Sequence, residues 1–180
     1  MLDFNNTKIA FSSKSDGELR NAQILFQTIA HPWLVKCAKS ASNFALKIHF
    51  PISWAVKPTL YRQFVGGETL QECIPVINHL KEYNVKSTLD FSAESEQTPE
   101  GIQATFEETL RSIDFAKGNE NLAYTVFKPS TITTDELLAK ASEKREPLSE
   151  EEKAEYEEFK KRFFALCQRA YDNDVRILVD

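Results

Sequence analysis

Glycine is scarce in this chain, five residues in 180. That leaves little material for phosphate-cradling loops. Gly66-Gly67 is the one adjacent pair, and it suits a turn leading into a helix, whereas a dinucleotide fingerprint places its glycines after a strand. No P-loop and no GxSxG motif occurs. Cysteine is also sparse. Cys37, Cys73 and Cys167 are scattered, odd in number and never paired as CxxC, which argues against a disulfide framework or a zinc site and for a reduced compartment. His31, His49 and His79 have no ligand spacing to one another, so no metal site is expected. No run of about 18 apolar residues is present, so no helix is expected to span a bilayer. The stretch "MLDFNNTKIAFSSKSDGELR" lacks both the apolar core of a secretion signal and the Arg-rich pattern of a mitochondrial one, and the expected location is cytoplasmic. Basic charge is wanting too. A net charge of −5 with no basic stripe argues against nucleic-acid binding.

Apolar and aromatic residues are plentiful: 42% of the chain is hydrophobic and thirteen residues are Phe, enough for a sizeable core. The first third reads as helical. Ser15-x-x-Glu18 is a capping-box pattern followed by Leu19, Ala22, Ile24, Phe26 and Ile29 at roughly helical spacing. "HPWLVKCAKSASNFALKIHF" gives a second helix, with Pro32 at a first-turn position where no N–H is needed. "PISWAVKPTLYRQFVGGE", broken by two prolines and Gly66-Gly67, reads as a connection with short irregular pieces.

From residue 67 the pattern becomes helix and strand in alternation. Thr69-x-x-Glu72 caps a helix, "VKSTLDF" holds a strand, and Thr98-Pro99 opens a helix whose inward face carries Ile102, Phe106, Leu110 and Ile113. "NLAYTVFK" is a second strand. Thr133-x-x-Glu136 caps a short helix and Ser149-x-x-Glu152 a long one with an inner stripe at Tyr156, Phe159, Phe163, Leu166 and Ala170. "VRILVD" is the third strand. Strands separated by helices imply parallel neighbours, because parallel pairing needs a crossover. The expected organisation is a helical arm and connection over 1–66 and β/α units over 67–180.

In parallel sheets chemistry gathers at the carboxyl ends of the strands. Asp90 ends the first strand with Glu94 just after it, Lys128 ends the second and Asp180 the third. Each has a plain alternative. Asp90 suits a loop cap, Glu94 a solvated acid, Lys128 a snorkelling surface lysine and Asp180 a frayed terminal acid. The sharper readings make Lys128 a cation for an anionic substrate, or a Schiff-base amine if burial lowers its pKa. Pro129 stops the second strand, since it has no donor for another ladder bond.

The segments "FVGGETLQECIPVINHLKEYNVKSTLDFSAES", "AYTVFKPS" and "FFALCQRAYDNDVRILVD", about Phe64 to Asp180, together resemble the proline dehydrogenase family. The first is similar to that family's (A/G)-G-E turn, helix and strand ending in LDY-x-x-E, here Leu89-Asp90-Phe91-Ser92-Ala93-Glu94. The second resembles its V-K strand and the third its I-L-V-D strand. The resemblance implies a distorted (β/α)8 barrel holding FAD, which oxidises L-proline to pyrroline-5-carboxylate by hydride transfer and passes electrons to a quinone. It implies that Lys128 lies near the substrate carboxylate and the flavin, that Asp180 pairs with it beside the flavin, and that Glu94, with Asp90 close by, matches the glutamate paired with a substrate-binding arginine. Pro129 departs from the family, where an apolar residue is usual.

The resemblance also implies that a complete barrel, about 250 residues, needs more than these three strands. The expectation is therefore an N-terminal portion of such an enzyme, inactive alone, retaining FAD poorly and prone to self-association through its open sheet. A full-length enzyme of this kind would associate peripherally with the inner membrane. Two alternatives from other classes stand beside it: a different β/α-barrel enzyme using Lys128 as a Schiff-base amine, and a non-catalytic α/β interaction module.

Overall fold

The computed structural model describes residues 5–91, 97–143 and 147–180, apart from the Ala55 side chain. The chain forms two compact units, residues 1–79 and 80–180.

The first unit is helical. After a single turn, α1 (Thr7–Ala10), α2 spans Asp16–Ile29 and begins with the expected capping box: the Ser15 hydroxyl accepts from the Glu18 N–H, and the Glu18 carboxylate accepts from the Ser15 N–H at 2.9 Å. Pro32 opens α3 (Pro32–Lys47), where its missing N–H costs nothing. The connection is more helical than its prolines imply. α4 (Ser53–Val56), a π-helical turn at Lys57–Tyr61 and α5 (Arg62–Phe64) run on from one another. α6 (Leu70–Glu82), whose last three residues belong to the second unit, starts with the Thr69 hydroxyl accepting from the Glu72 N–H at 3.2 Å. The amphipathic spacing seen in the sequence does form helices, but it does not produce burial. Ile77 is the one buried residue among those described in this unit. Ile24, Phe26, Trp33 and Phe44 are each more than half exposed.

The second unit is α/β, with β1 (Ser87–Asp90), α7 (Pro99–Ala116), β2 (Leu122–Phe127), a 3-10 turn at Pro129–Thr131, α8 (Asp135–Glu143), α9 (Glu150–Asp172) and β3 (Ile177–Val179). The strands form one parallel sheet in the order β1-β2-β3. The helices entering each strand finish with a left-handed residue: Asn84 before β1, Gly118 before β2 and Asp174 before β3. Only Gly118 adopts this backbone without steric cost. The chain reverses there in four or five residues, which brings each strand back beside its neighbour.

The core lies between the sheet and α7 and α9, where Ile113, Phe127, Ile132, Phe159, Leu166 and Ala170 form a buried cluster. Phe106, Leu110, Tyr156 and Phe163 pack against it half-buried, so both expected inner stripes lie on the core side of their helices. Burying each large side chain contributes about 1.5–3 kcal/mol. An exposed clasp also joins α7 to α9. Arg169 donates from Nε to Asp114 Oδ1 at 2.7 Å and from Nη2 to Oδ2 at 2.9 Å.

One cap differs from the expected position. The hydroxyl that accepts from the α8 backbone belongs to Thr134, bonding the Leu137 N–H at 3.3 Å, not to Thr133. Thr133 is drawn fully into the core, so the cap falls to the next hydroxyl. No described helix is long and apolar enough to cross a membrane.

Candidate functional site at the strand carboxyl ends

Register decides which side chains share a face of the sheet. Leu89, Thr125 and Ile177 form one cross-strand row, and Asp90, Val126 and Leu178 form the next. Phe127 and Ile177 belong to the α7/α9 core, so the first row faces the helices. Successive strand residues alternate faces, and the second row therefore faces away from them. Extending that alternation by two residues puts Lys128 and Asp180 on the face of Asp90. The Asp180 N–H donates to the Phe127 carbonyl at 3.2 Å, which carries the β2–β3 ladder to the end of β3. Neighbouring strands lie about 4.8 Å apart, so Lys128 and Asp180 leave adjacent strands side by side. On this face Tyr124 and Leu178 are 40% and 48% exposed, while Val126 between them is buried.

Lys128 is half-buried and its backbone is fixed. Its φ of −104° and ψ of 131° continue the strand. Its carbonyl accepts from the Thr131 N–H at 3.0 Å and the Thr131 hydroxyl at 2.8 Å. Thr131 itself is buried. Pro129 begins this 3-10 turn, so the proline both ends β2 and starts the turn that holds the lysine backbone. Asp90 and Asp180 are solvent-exposed. Glu94 lies outside the described residues. The sheet thus brings three of the four sequence-derived site residues to one end and one face.

Sequence reasoning missed Thr131. Its signal was available: a hydroxyl residue two positions after a proline that itself follows a strand-ending lysine. The three cysteines are free thiols, and burial raises the pKa of both Cys73 and Cys167. That favours the unreactive thiol form over the thiolate.

This end of the sheet can therefore offer N–H donors from Lys128 and carboxylate acceptors from Asp90 and Asp180 on one face. A separate cavity of about 630 Å3 lies at the opposite, amino ends of the strands, lined by residues such as Lys86, Lys117 and Arg176.

No protein-family model matches the chain, and no solved structure matches it. Curated relatives do. The chain is 31% identical over 113 residues to "Proline dehydrogenase 1, mitochondrial" of Bos taurus, covering 62% of this chain and 19% of that protein. It is 35% identical over 99 residues to the protein of the same name in Caenorhabditis elegans, covering 54% and 16%. It is 29% identical over 117 residues to "Carbapenem antibiotics biosynthesis protein CarD" of Pectobacterium carotovorum subsp. carotovorum, covering 65% and 31%. The chain spans less than a third of the length of each of these relatives. Similarity to proline dehydrogenases from several animals, over more than half of its own length, gives this chain a family relationship to the proline dehydrogenases.

Proposed function

We propose that these residues supply three β/α units of a flavin-dependent proline dehydrogenase with a (β/α)8 barrel. The observation that carries this reading is the placement of Asp90, Lys128 and Asp180 on one face of a parallel sheet, at its carboxyl ends. That is where barrel enzymes hold their reacting groups. Proline is a carboxylate, and the Lys128 ammonium is the complementary charge at that end. A neighbouring acid keeps such a cation oriented, and Asp180 stands on the adjacent strand. The fixed Lys128 backbone limits how far its ammonium strays.

The donor set fits FAD. A lysine and carboxylates at one sheet end suit a group that both accepts and donates hydrogen bonds, and Lys128 and Asp180 are the residues that would border it. When bound, the flavin supplies the hydride acceptor, and the protein's part is position and charge. Glu94 and Asp90 belong to the substrate side of the site in this reading, with a quinone as the final electron acceptor. Both compartments, the cytoplasm and the surface of the inner membrane, suit a chain of this kind.

Three strands enclose too little to hold flavin and substrate away from water, so these 180 residues alone neither retain FAD tightly nor oxidise proline. Mixing the chain with FAD and L-proline without oxygen and following flavin absorbance tests this: the flavin stays oxidised. Rapid bleaching would show that three β/α units suffice. In a longer chain that does turn over proline, Lys128→Ala abolishes proline-dependent bleaching. Unchanged turnover in that variant would remove Lys128 from the site.

A further inference from the structure

The helical unit holds a cavity of about 640 Å3 that the flavin reading leaves unused. Its walls come from Lys14, α2, α3, the π-helical turn and α5, and Leu25, Ile29, Val35 and Leu60 are among the apolar side chains that line it. Ala22 on α2 and Ala38 on α3 also line it. Methyl side chains there leave open a space that larger residues on two packed helices would fill. Pockets of roughly 300–1,000 Å3 with apolar walls and a few placed polar groups are those that take small molecules. π-Helical turns of the kind at Lys57–Tyr61 frequently border functional sites.

The cavity has a charged end and an apolar end. Lys14, Glu18 and Arg62 line it beside the first turn of α2, while Ile29 and Val35 line it near the turn that joins α2 to α3. Glu18 and Ile29 are 11 residues apart on one helix, about 16 Å along its axis. The acid at the charged end is already committed. Its carboxylate accepts from the Ser15 N–H at 2.9 Å, the Ser15 hydroxyl at 2.8 Å and Arg62 Nη2 at 3.2 Å. A guanidinium has five N–H donors, and this bond uses one. Two cations against one acid leave that end with an excess positive charge.

We propose that the cavity binds a free amphiphile with one long apolar chain and a carboxylate head, the chain lying between α2 and α3 and the head meeting Arg62 and Lys14. Hydrocarbon suits the apolar walls, and an anionic head offsets the excess cation. A carboxylate matches the planar fork of an arginine better than a single-point acceptor does. Nothing in this inference rests on the flavin reading, and its test involves no turnover.

The probe is cis-parinaric acid, whose fluorescence rises on entering an apolar site, titrated below its micelle concentration into the 180-residue chain. Saturable binding at one site per chain is expected. Ala38→Phe, which fills the space, weakens it more than about tenfold while the helical circular dichroism is unchanged. Lys14→Gln weakens the acid but not its methyl ester, and the wild-type chain prefers acid to ester. Absence of saturable binding overturns the proposal. So does equal affinity for acid and ester, or indifference to both Ala38→Phe and Lys14→Gln. Fluorescence that tracks dimer formation in light scattering, or binding to anionic vesicles in place of the free probe, assigns the surface to a second copy or a membrane and equally overturns it.

Discussion

Leu166 has no solvent exposure and packs where α9 meets the sheet, so Leu166→Ala leaves a cavity as well as losing transfer energy. Urea unfolding followed by circular dichroism should show a loss of about 2–5 kcal/mol. Arg169→Ala, three residues away, breaks two short hydrogen bonds, yet its side chain and that of Asp114 are 51% and 44% exposed. The expected loss is below about 1 kcal/mol and shrinks further in salt. Thr133 presents the opposite case. It is fully buried and its hydroxyl has no hydrogen-bond partner among the described residues. Thr133→Val removes an unsatisfied polar atom at nearly constant volume, and the thermal midpoint should rise. A fall would mean that the hydroxyl is bonded in solution. Glu18 carries a pH signature. Its Ser15 hydrogen bonds first, and the Arg62 pair after them, lower its pKa from 4.5 to about 2. A carboxylate with a depressed folded-state pKa contributes stability that is complete above its unfolded pKa and lost as pH falls through the folded one. The Glu18 contribution should therefore fade between about pH 4.5 and 2, and Ser15→Ala should flatten that part of the acid titration of helicity.

Among the elements, α9 depends on its first turn. Ser149→Ala removes a cap of which both halves are formed, and helix and unit should lose about 0.5–2 kcal/mol, read as a lower urea midpoint. Such caps are legible in sequence because they involve four consecutive residues. Ser15, Thr69, Thr98 and Ser149 all cap where their spacing predicts. Thr133 fails because two hydroxyls stand side by side, and burial, a tertiary effect, decides between them. Amphipathic spacing likewise reveals which face of α2 and α3 is apolar but not whether anything covers it. The inner stripes of α7 and α9 are buried because a sheet is there to receive them, and the sheet's adjacency depends on residues far apart in the chain. Asp90, Lys128 and Asp180 could be placed at strand ends from sequence. Their common face needed the register. Thr131 carries only the weak signal of a hydroxyl two residues after Pro129, because its partner is the Lys128 backbone carbonyl.

At the scale of the whole molecule, the two units differ in how much they bury. Amide hydrogen exchange should find α2 and α3 poorly protected and α7, β2 and α9 slow, since protection follows buried contacts. Comparable protection in both would show that the helical unit is covered in solution. Among the described residues the edges of the sheet are β1 and β3, and Leu178 and Val179 are exposed. Edges and apolar faces of this kind invite pairing, so light scattering at rising concentration should show association. A sharp monomer throughout would contradict that.

The seating of Asp180 beside Lys128 also sets an order of events. The two are 52 residues apart in sequence and come to adjacent strand ends only when β3 joins the ladder of β2. At a synthesis rate of about 5–20 residues per second, Lys128 is made roughly 3–10 s before Asp180. During that interval α7 and β2 can assemble, but the pair at the strand ends cannot. On the ribosome, the two charges are therefore brought together only after the helix layer behind them has been made.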